Sequence, residues 1–263
     1  MNITILIVII LTFIITVIGT LAYAVRIVGV STGKIAVSFA LFNVLVLVSR
    51  AANSVQSPLL TKFVETNGGS SIINSFYLII AFSGIATIVG AFSIPTFQRV
   101  LSKGVLQFSE DRSVPKLLLH GFTKSGIRHI KKSVKVPDKA NITKVDLSSL
   151  PIKIVLANVI IVAIQTVGFL APIYAGVIAP ELRATCITLT SVINWAATLL
   201  LYLYVYPFLS IKTDDVIDGK CSEAEFRQCV VGMVGSKVIG TFSAIFLLVP
   251  ASNIIVIVAR LIP

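Results

Sequence analysis

Six long apolar segments alternate with polar stretches along the chain. Each segment is near or above the roughly 20 residues that an α-helix needs to cross the hydrocarbon core of a bilayer. The segments are residues 3–24, 35–57, 72–94, 154–178, 186–209 and 229–259. The pattern therefore predicts an all-α, polytopic membrane protein with about six transmembrane helices. The sixth segment is long enough to be tilted, or to be broken at Pro250.

A single large polar region separates the third segment from the fourth. Residues 1–94 hold three spans, residues 95–153 form the loop, and residues 154–263 hold the other three spans. Within the loop, the stretch VPKLLLHGFTKSGIRHIKKSVKV mixes leucine, isoleucine and valine with lysine and arginine. This mixture is typical of a basic amphipathic helix that lies on an anionic membrane surface. We therefore expect anionic lipids among the partners of the loop.

The distribution of basic residues predicts the orientation of the chain. The net charge is +11, with 22 Lys and Arg against 11 Asp and Glu in 263 residues. Seventeen of the 22 fall on the side of the 95–153 loop and three on the other side. Because cytoplasmic loops carry Lys and Arg in excess, the loop is expected to be cytoplasmic and both termini outside. Membrane topology accounts for the charge, so no nucleic-acid partner is expected.

No motif indicates an enzyme, a metal centre or a cofactor site. HExxH and GxSxG are absent, and GVSTGKI at residues 29–35 lacks the glycine spacing and the Ser or Thr of a phosphate-binding loop. The five carboxylates within residues 211–227 lack the EF-hand pattern, which favours a solvated acidic loop. Cys186, Cys221 and Cys229 show no metal or redox spacing and are expected to be free thiols.

Two basic residues inside the predicted spans are the main chemical signal. Arg50 and Lys237 lie within spans, whereas all eleven acidic residues lie in loops or at span ends. An intramembrane charge costs at least about 2.5–3.5 kcal/mol. Counted along the helices, Arg50 lies ~22 Å from the cytoplasmic end, in the outer half, and Lys237 lies ~12 Å in, in the inner half. Either the two side chains snorkel to the interfaces, where Arg50 would form hydrogen bonds with Glu65 or with carbonyls, or they bind an anion.

Uncharged polar residues recur at helical spacing on the second, fourth and fifth spans. In the second span they share one stripe with Arg50. Together with the two cations they would line a polar cavity with apolar outer walls. The predicted substrate-binding residues are Arg50, Lys237, Asn43, Asn53, Asn158, Gln165 and Asn194. Alternatively, the uncharged members form ordinary interhelical hydrogen bonds, worth about 0.6 kcal/mol each. On the sixth span, the small residues Gly232, Ser236, Gly240 and Ser243 are compatible with internal packing or with a homodimer.

The stretch GTLAYAVRIVGVSTGKIAVSFALFNVLVLVSRAANSVQSPLL, residues 19–60, resembles the Amj family of bacterial lipid II flippases, which are alternate to MurJ. Chain length, six spans and a single long basic loop are also similar. The resemblance implies a protein of the plasma membrane of a bacterium with peptidoglycan. It implies that the substrate is lipid II, undecaprenyl-diphosphate linked to a disaccharide-pentapeptide. The activity would move its headgroup from the inner to the outer leaflet without a cofactor.

Two other functions fit the residues. The first is transport of another lipid-linked or soluble anion, such as undecaprenyl phosphate, and the second is a non-transporting membrane scaffold that recruits partners through the basic loop. None of the three is an enzyme. The two intramembrane cations favour a transporter of an anion over a scaffold. The identity of the lipid comes from the family resemblance alone.

Overall fold

The computed structural model describes residues 3–67, 71–111, 132–135 and 150–262, which form helices and no β-strand. The helices are α1 (Ile3–Thr32), α2 (Ile35–Thr66), α3 (Ser71–Asp111), α4 (Ile152–Ile178), α5 (Arg183–Leu200), α6 (Tyr206–Ile217) and α7 (Glu223–Leu261). A 3-10 turn (Pro180–Leu182) precedes α5, and a π-helical segment (Leu201–Val205) joins α5 to α6 in the fifth span. The predicted all-α fold with six spans is confirmed.

Some helices extend well beyond the apolar segments that predicted them. α3 continues past the expected end at residue 94 as far as Asp111, because Leu101 and Val105 are buried in a cluster with α1 and α2. α6 runs to Ile217, and α7 begins at Glu223 behind a capping box formed by the residue before it. The expectation that residues 211–227 form one acidic loop is therefore wrong, since only residues 218–222 connect the two helices.

Pro250 does not break the sixth span. α7 is one continuous helix through this residue. Prolines also lie inside α2, α3 and α4, at Pro58, Pro95 and Pro172. A proline removes one backbone hydrogen bond, and membrane helices tolerate this loss where neighbouring groups satisfy the freed carbonyl.

Most of the predicted amphipathic helix at residues 114–136 lies outside the described residues and stays a prediction. The part that is described contacts α3. The backbone amide of Lys135 donates to Oγ1 of Thr96 over 3.0 Å, and the Thr96 hydroxyl donates to the Lys135 carbonyl oxygen over 3.1 Å. These reciprocal bonds tie residue 135 to the helix that precedes the loop.

We call the end of the bundle where α3 ends and α4 begins the loop end, and the opposite end, where α1 begins and α7 ends, the terminal end. α1 and α2 meet at the loop end through a turn in which Gly33 has φ +66°. The amides of Gly33 and Lys34 donate to the carbonyls of Val30 and Gly29. Glycine adopts this left-handed conformation without strain. The GVSTGKI stretch is therefore a helix-ending turn.

The helices form two groups, α1–α3 and α4–α7, that meet differently at the two ends. At the terminal end, one buried apolar cluster includes residues from all six spans. At the loop end, α1–α3 share a cluster around Val25 and Leu41, and α4–α7 share a second around Leu209 and Met233. A small cluster around Ile27 joins α1 to α7 between them. The two groups are thus more separate at the loop end than at the terminal end.

α2 and α5 belong to the two least buried spans. No residue from Asn43 to Val55 of α2 is buried, although both ends of the helix are packed. On α5, no residue between Cys186 and Ala197 is buried. α2 packs mainly on α1, and α5 packs mainly on α4, so each lies at the edge of its group. We call the unburied stretches 43–55 and 187–196 the open side of the bundle.

The small residues of the sixth span pack inside the protein. A Cβ atom at Gly240 would stand 2.5 Å from the carbonyl oxygen of Val159 on α4, and one at Gly232 would collide with Leu150. Ser236 is buried in the same contact. Gly232, Ser236 and Gly240 therefore serve internal packing, with α7 close to α4, and the homodimer stays a prediction.

Replacing Gly240 with valine is expected to lower the thermal stability of the protein. The added atoms would press on Val159 and Val162, and such overpacking costs about 1–3 kcal/mol. The matched control is Gly235→Val on the same helix, where a Cβ would have no neighbour within 4 Å. Thermal unfolding of the purified variants in detergent measures the difference. Equal losses in the two variants would contradict the close approach at Gly240.

Candidate functional site

Lys237 extends from α7 toward α1, at the boundary between the two helix groups. Its Nζ lies 3.3 Å from the place that a Cβ atom of Gly19 would occupy, and 5.7 Å from the centroid of the Tyr23 ring. The glycine leaves room for the ammonium group, and the ring offers a cation–π contact one turn closer to the loop end. The side chain therefore points across the interior, which does not match snorkelling along the helix.

A buried hydrogen-bond network holds the tyrosine that contacts Lys237. The Tyr23 hydroxyl donates to Oδ1 of Asn158 over 3.3 Å. The Asn158 amide nitrogen donates to Oγ of Ser236 over 2.7 Å and to the Met233 carbonyl oxygen over 3.2 Å. Asn158 is fully buried, and both ends of its amide are occupied. Its predicted role as a substrate ligand is not visible in this arrangement, where it joins α4 to α1 and α7.

Hydroxyl groups line the interior around Lys237. Thr241 donates to the Lys237 carbonyl oxygen over 2.9 Å, and its hydroxyl shares a hydrogen bond of 3.3 Å with Thr87 of α3. Thr16 and Ser83 share another of 3.1 Å between α1 and α3. All these groups are neutral, so they satisfy one another without compensating the charge of the lysine.

Among the residues that the structure describes, no carboxylate forms an ion pair with either intramembrane cation. The ion pairs formed between described residues include Lys220–Asp218 and Arg227–Glu223, and neither Arg50 nor Lys237 takes part in one. The contact of Arg50 with Glu65 that snorkelling would produce is not observed. Neither Arg50 nor Lys237 has an ionic partner among the described residues.

The predicted polar stripe of α2 lies on the open side. Asn43, Arg50 and Asn53 are all exposed, and they fall within the unburied stretch of the helix. On the other helix group, Gln165 of α4 is exposed, and Asn194 of α5 is partly buried against Gly168. The structure thus brings Lys237 and Asn158 into one cluster and leaves the other five predicted residues outside it.

The two cations lie at similar heights in the bundle. The amide of Gln56 on α2 donates to Oγ1 of Thr12 on α1 over 2.7 Å. α2 runs antiparallel to α1, so Arg50, six residues before Gln56, is level with about the sixth residue after Thr12. That level adjoins Gly19, which contacts Lys237. Counting from the ends of the apolar segments had placed the cations in opposite halves, because it ignores how helices of unequal length overlap.

Arg26 is a third cation of this region, which sequence reasoning assigned to a loop. It lies inside α1 and is partly buried. Its Nη1 donates to Oγ of Ser210 on α6 over 3.1 Å, and its Cζ lies 5.2 Å from the centroid of the Phe39 ring on α2. Spacing could have revealed it, since residues 19, 23 and 26 share one helix face once the first span is extended.

The family model described as Amj, Alternate to MurJ, matches residues 11–259 of the chain. The chain belongs to the Amj family. This Amj chain is 33% identical over 239 residues to a protein of Bacillus subtilis strain 168 named Lipid II flippase Amj. The alignment covers 89% of each chain. No solved structure matches. The family resemblance inferred from residues 19–60 is confirmed.

The chemistry available at the site of this Amj protein is binding of an anion. The described residues hold no group of three His, Cys, Asp or Glu side chains close enough to ligate a metal. What they offer is the Lys237 ammonium group at the border of the two helix groups, and the Arg50 guanidinium group and exposed amides on the open side. Such a set can bind and release phosphate oxygens.

Proposed function

We propose that this protein is a lipid II flippase, which moves the undecaprenyl-diphosphate-linked peptidoglycan precursor from the inner to the outer leaflet of the bacterial plasma membrane. The observation that carries the proposal is Lys237, an intramembrane cation between two helix groups that has no carboxylate partner among the described residues. The named relative from Bacillus subtilis supports the choice of lipid. The activity is transport, and no covalent step is required.

A diphosphate headgroup suits the uncompensated cations. An isolated charge inside the membrane is costly, and an anionic ligand offsets that cost when it binds. The headgroup must in turn cross about 30 Å of hydrocarbon, which requires a polar, cationic path. Lys237 and Arg50 would bind the diphosphate, and the exposed amides would bind sugar or phosphate oxygens. These amides belong to Asn43, Asn53, Gln165 and Asn194, while Asn158 would position Tyr23 beside the lysine.

The open side offers a route for the lipid tail. Exposed apolar residues such as Leu47, Val55 and Trp195 accompany the polar ones on the unburied stretches. A tail could remain in the bilayer beside them while the headgroup moves through the polar interior. The division of the two helix groups at the loop end supports entry of the headgroup from that end. Rocking of the groups would then expose the site to the terminal end.

The proposed orientation places the loop end in the cytoplasm. It rests on the excess of Lys and Arg at that end. The basic loop at residues 95–153 would then gather anionic lipid, including the precursor, at the inner leaflet. This direction of entry is the one that peptidoglycan synthesis requires.

Cys221 provides a test of this orientation. It lies partly exposed at the loop end, whereas Cys186 and Cys229 are buried. Burial and a hydrogen bond to the Glu225 carboxylate raise the pKa of the Cys221 thiol. Because the thiolate reacts, labelling by a membrane-impermeant maleimide should become faster as the pH rises. We expect labelling in inside-out vesicles only, and none after Cys221→Ser. Labelling of intact cells would reverse the orientation.

The function itself is tested by asking where lipid II lies when the protein is removed. In cells with no other lipid II flippase, depletion should leave lipid II protected from a lipid II-cleaving enzyme added outside. Re-expression should restore cleavage. Accumulation of undecaprenyl phosphate with normal lipid II exposure would favour transport of that lipid. A scaffold would instead lose function on deletion of the loop and tolerate replacement of Arg50 and Lys237.

A further inference from the structure

Arg26 bridges the two helix groups at the loop end. The residue lies on α1, contacts the Phe39 ring of α2, and donates a hydrogen bond to Ser210 of α6 in the other group. It therefore lies between Phe39 of α2 and Ser210 of α6 near the loop end. At this end the groups otherwise meet mainly through the small cluster around Ile27.

An anion can replace Ser210 as the hydrogen-bond partner of Arg26. Ser210 is the one hydrogen-bond partner of Arg26 among the described residues, so most of its five N–H donors are unused. Asp214, which is exposed, and Tyr206 interact with it electrostatically, but no salt bridge forms. A phosphate group accepts two parallel hydrogen bonds from a guanidinium, and each is stronger than a bond to a neutral hydroxyl.

Arg26 also lies closer to the loop end than Lys237 does. Gly19, Tyr23 and Arg26 share one face of α1, and Lys237 contacts the first two. Arg26 is thus about 10 Å closer to the loop end than Gly19. An anion that enters from the loop end reaches the arginine first, and the Tyr23 ring lies between the two cations.

We propose that Arg26 is the first residue of the transporter to bind the diphosphate. Binding breaks the hydrogen bond from Arg26 to Ser210. The loss of this bond separates α1 from α6 and opens an entrance for the headgroup between them. This inference rests on the proposed function. The shared chemistry is a diphosphate, which could be lipid-linked or soluble. In the unloaded protein the arginine keeps the entrance closed, and in the loaded protein it turns from the hydroxyl to the ligand.

Distance measurements between two spin labels test the proposal. Labels would be attached through Ser31→Cys on α1 and Ile217→Cys on α6, both exposed, after replacement of the three native cysteines. In nanodiscs, undecaprenyl diphosphate is expected to lengthen the distance, whereas undecaprenol is not. Lengthening by inorganic diphosphate alone would assign the site to a soluble anion and overturn the lipid-linked form of the proposal.

Variants separate the entrance role from a structural one. Arg26→Gln should abolish the lengthening and weaken binding of undecaprenyl diphosphate roughly tenfold or more, which corresponds to about 1.4 kcal/mol. Ser210→Ala removes the bridge but keeps the arginine, so it should lengthen the distance without ligand. Asp214→Asn should behave like the parent; if it reproduces Arg26→Gln, the arginine merely pairs with Asp214 and the proposal fails.

Failure of this inference differs from failure of the proposed function. If the labelled parent protein flips lipid II and its distance stays constant with undecaprenyl diphosphate, the entrance mechanism is wrong and the flippase stands. If the parent protein neither binds nor flips lipid II, both are wrong. Lengthening that persists in Arg26→Gln overturns the assignment to Arg26.

Discussion

Replacing Lys237 with methionine is expected to abolish lipid II flipping and to leave the fold intact. Methionine has a similar length and no charge, so the contacts of the side chain stem with α1 can persist. Because an intramembrane lysine costs at least about 2.5 kcal/mol, the variant should be at least as stable to heat as the parent protein. A loss of transport together with unchanged or higher stability would identify Lys237 as a ligand-binding residue.

Two matched variants complete this experiment. Lys62→Met removes an exposed lysine near the terminal end of α2 and should leave growth unchanged. Lys237→Arg keeps the charge in a longer side chain and should retain part of the activity. The readouts are growth of cells that lack other lipid II flippases, outside cleavage of lipid II, and thermal unfolding of purified protein. Normal growth of the Lys237→Met strain at the parent protein level would remove Lys237 from the mechanism.

The spans were predictable because bilayer thickness sets the length of apolar sequence that a helix needs. All six expected segments lie inside helical spans. The helix ends were less predictable, since outside the hydrocarbon they depend on packing and capping. The extension of α3 depends on the burial of Leu101 and Val105, and the start of α7 depends on the capping box of Ser222 with Glu225. A hydropathy profile reveals neither the packing of α3 nor the capping box of α7.

The site was predictable only in part. A charge count is enough to single out Arg50 and Lys237, because it needs no knowledge of neighbours. Whether an amide side chain in a span is exposed or saturated by hydrogen bonds depends on which helix packs against it. Asn158 and Gln165 share one face of the fourth span by spacing, yet the first is saturated by hydrogen bonds and the second is exposed. Arg26 was missed because an arginine near a span end resembles a topological signal until its partner on α6 is known.

Replacing Arg50 with alanine is expected to lower the rate of lipid II flipping at least tenfold, about 1.4 kcal/mol in the barrier. The side chain is exposed and forms no ion pair with the part of the chain that the structure describes, so its loss should have little effect on thermal stability. Arg50→Lys keeps the charge and loses bidentate binding of a phosphate, and should be intermediate. Flipping by purified protein in liposomes, with Lys62→Ala as the control at an exposed cation on the same helix, measures the effect. Parent-level flipping by Arg50→Ala would show that the arginine only snorkels.

The similar heights of Arg50 and Lys237 extend this prediction to the double variant. If each cation served a separate leaflet, the headgroup would pass from one to the other, and the two replacements would slow different steps. At one height, both cations can act on the diphosphate in the same step of its passage. In that case either single replacement leaves an incomplete site, and combining them costs little more than the worse of the two. Multiplied losses in Lys237→Arg/Arg50→Lys, whose single variants retain part of the activity, would instead indicate two independent sites when measured at matched protein levels.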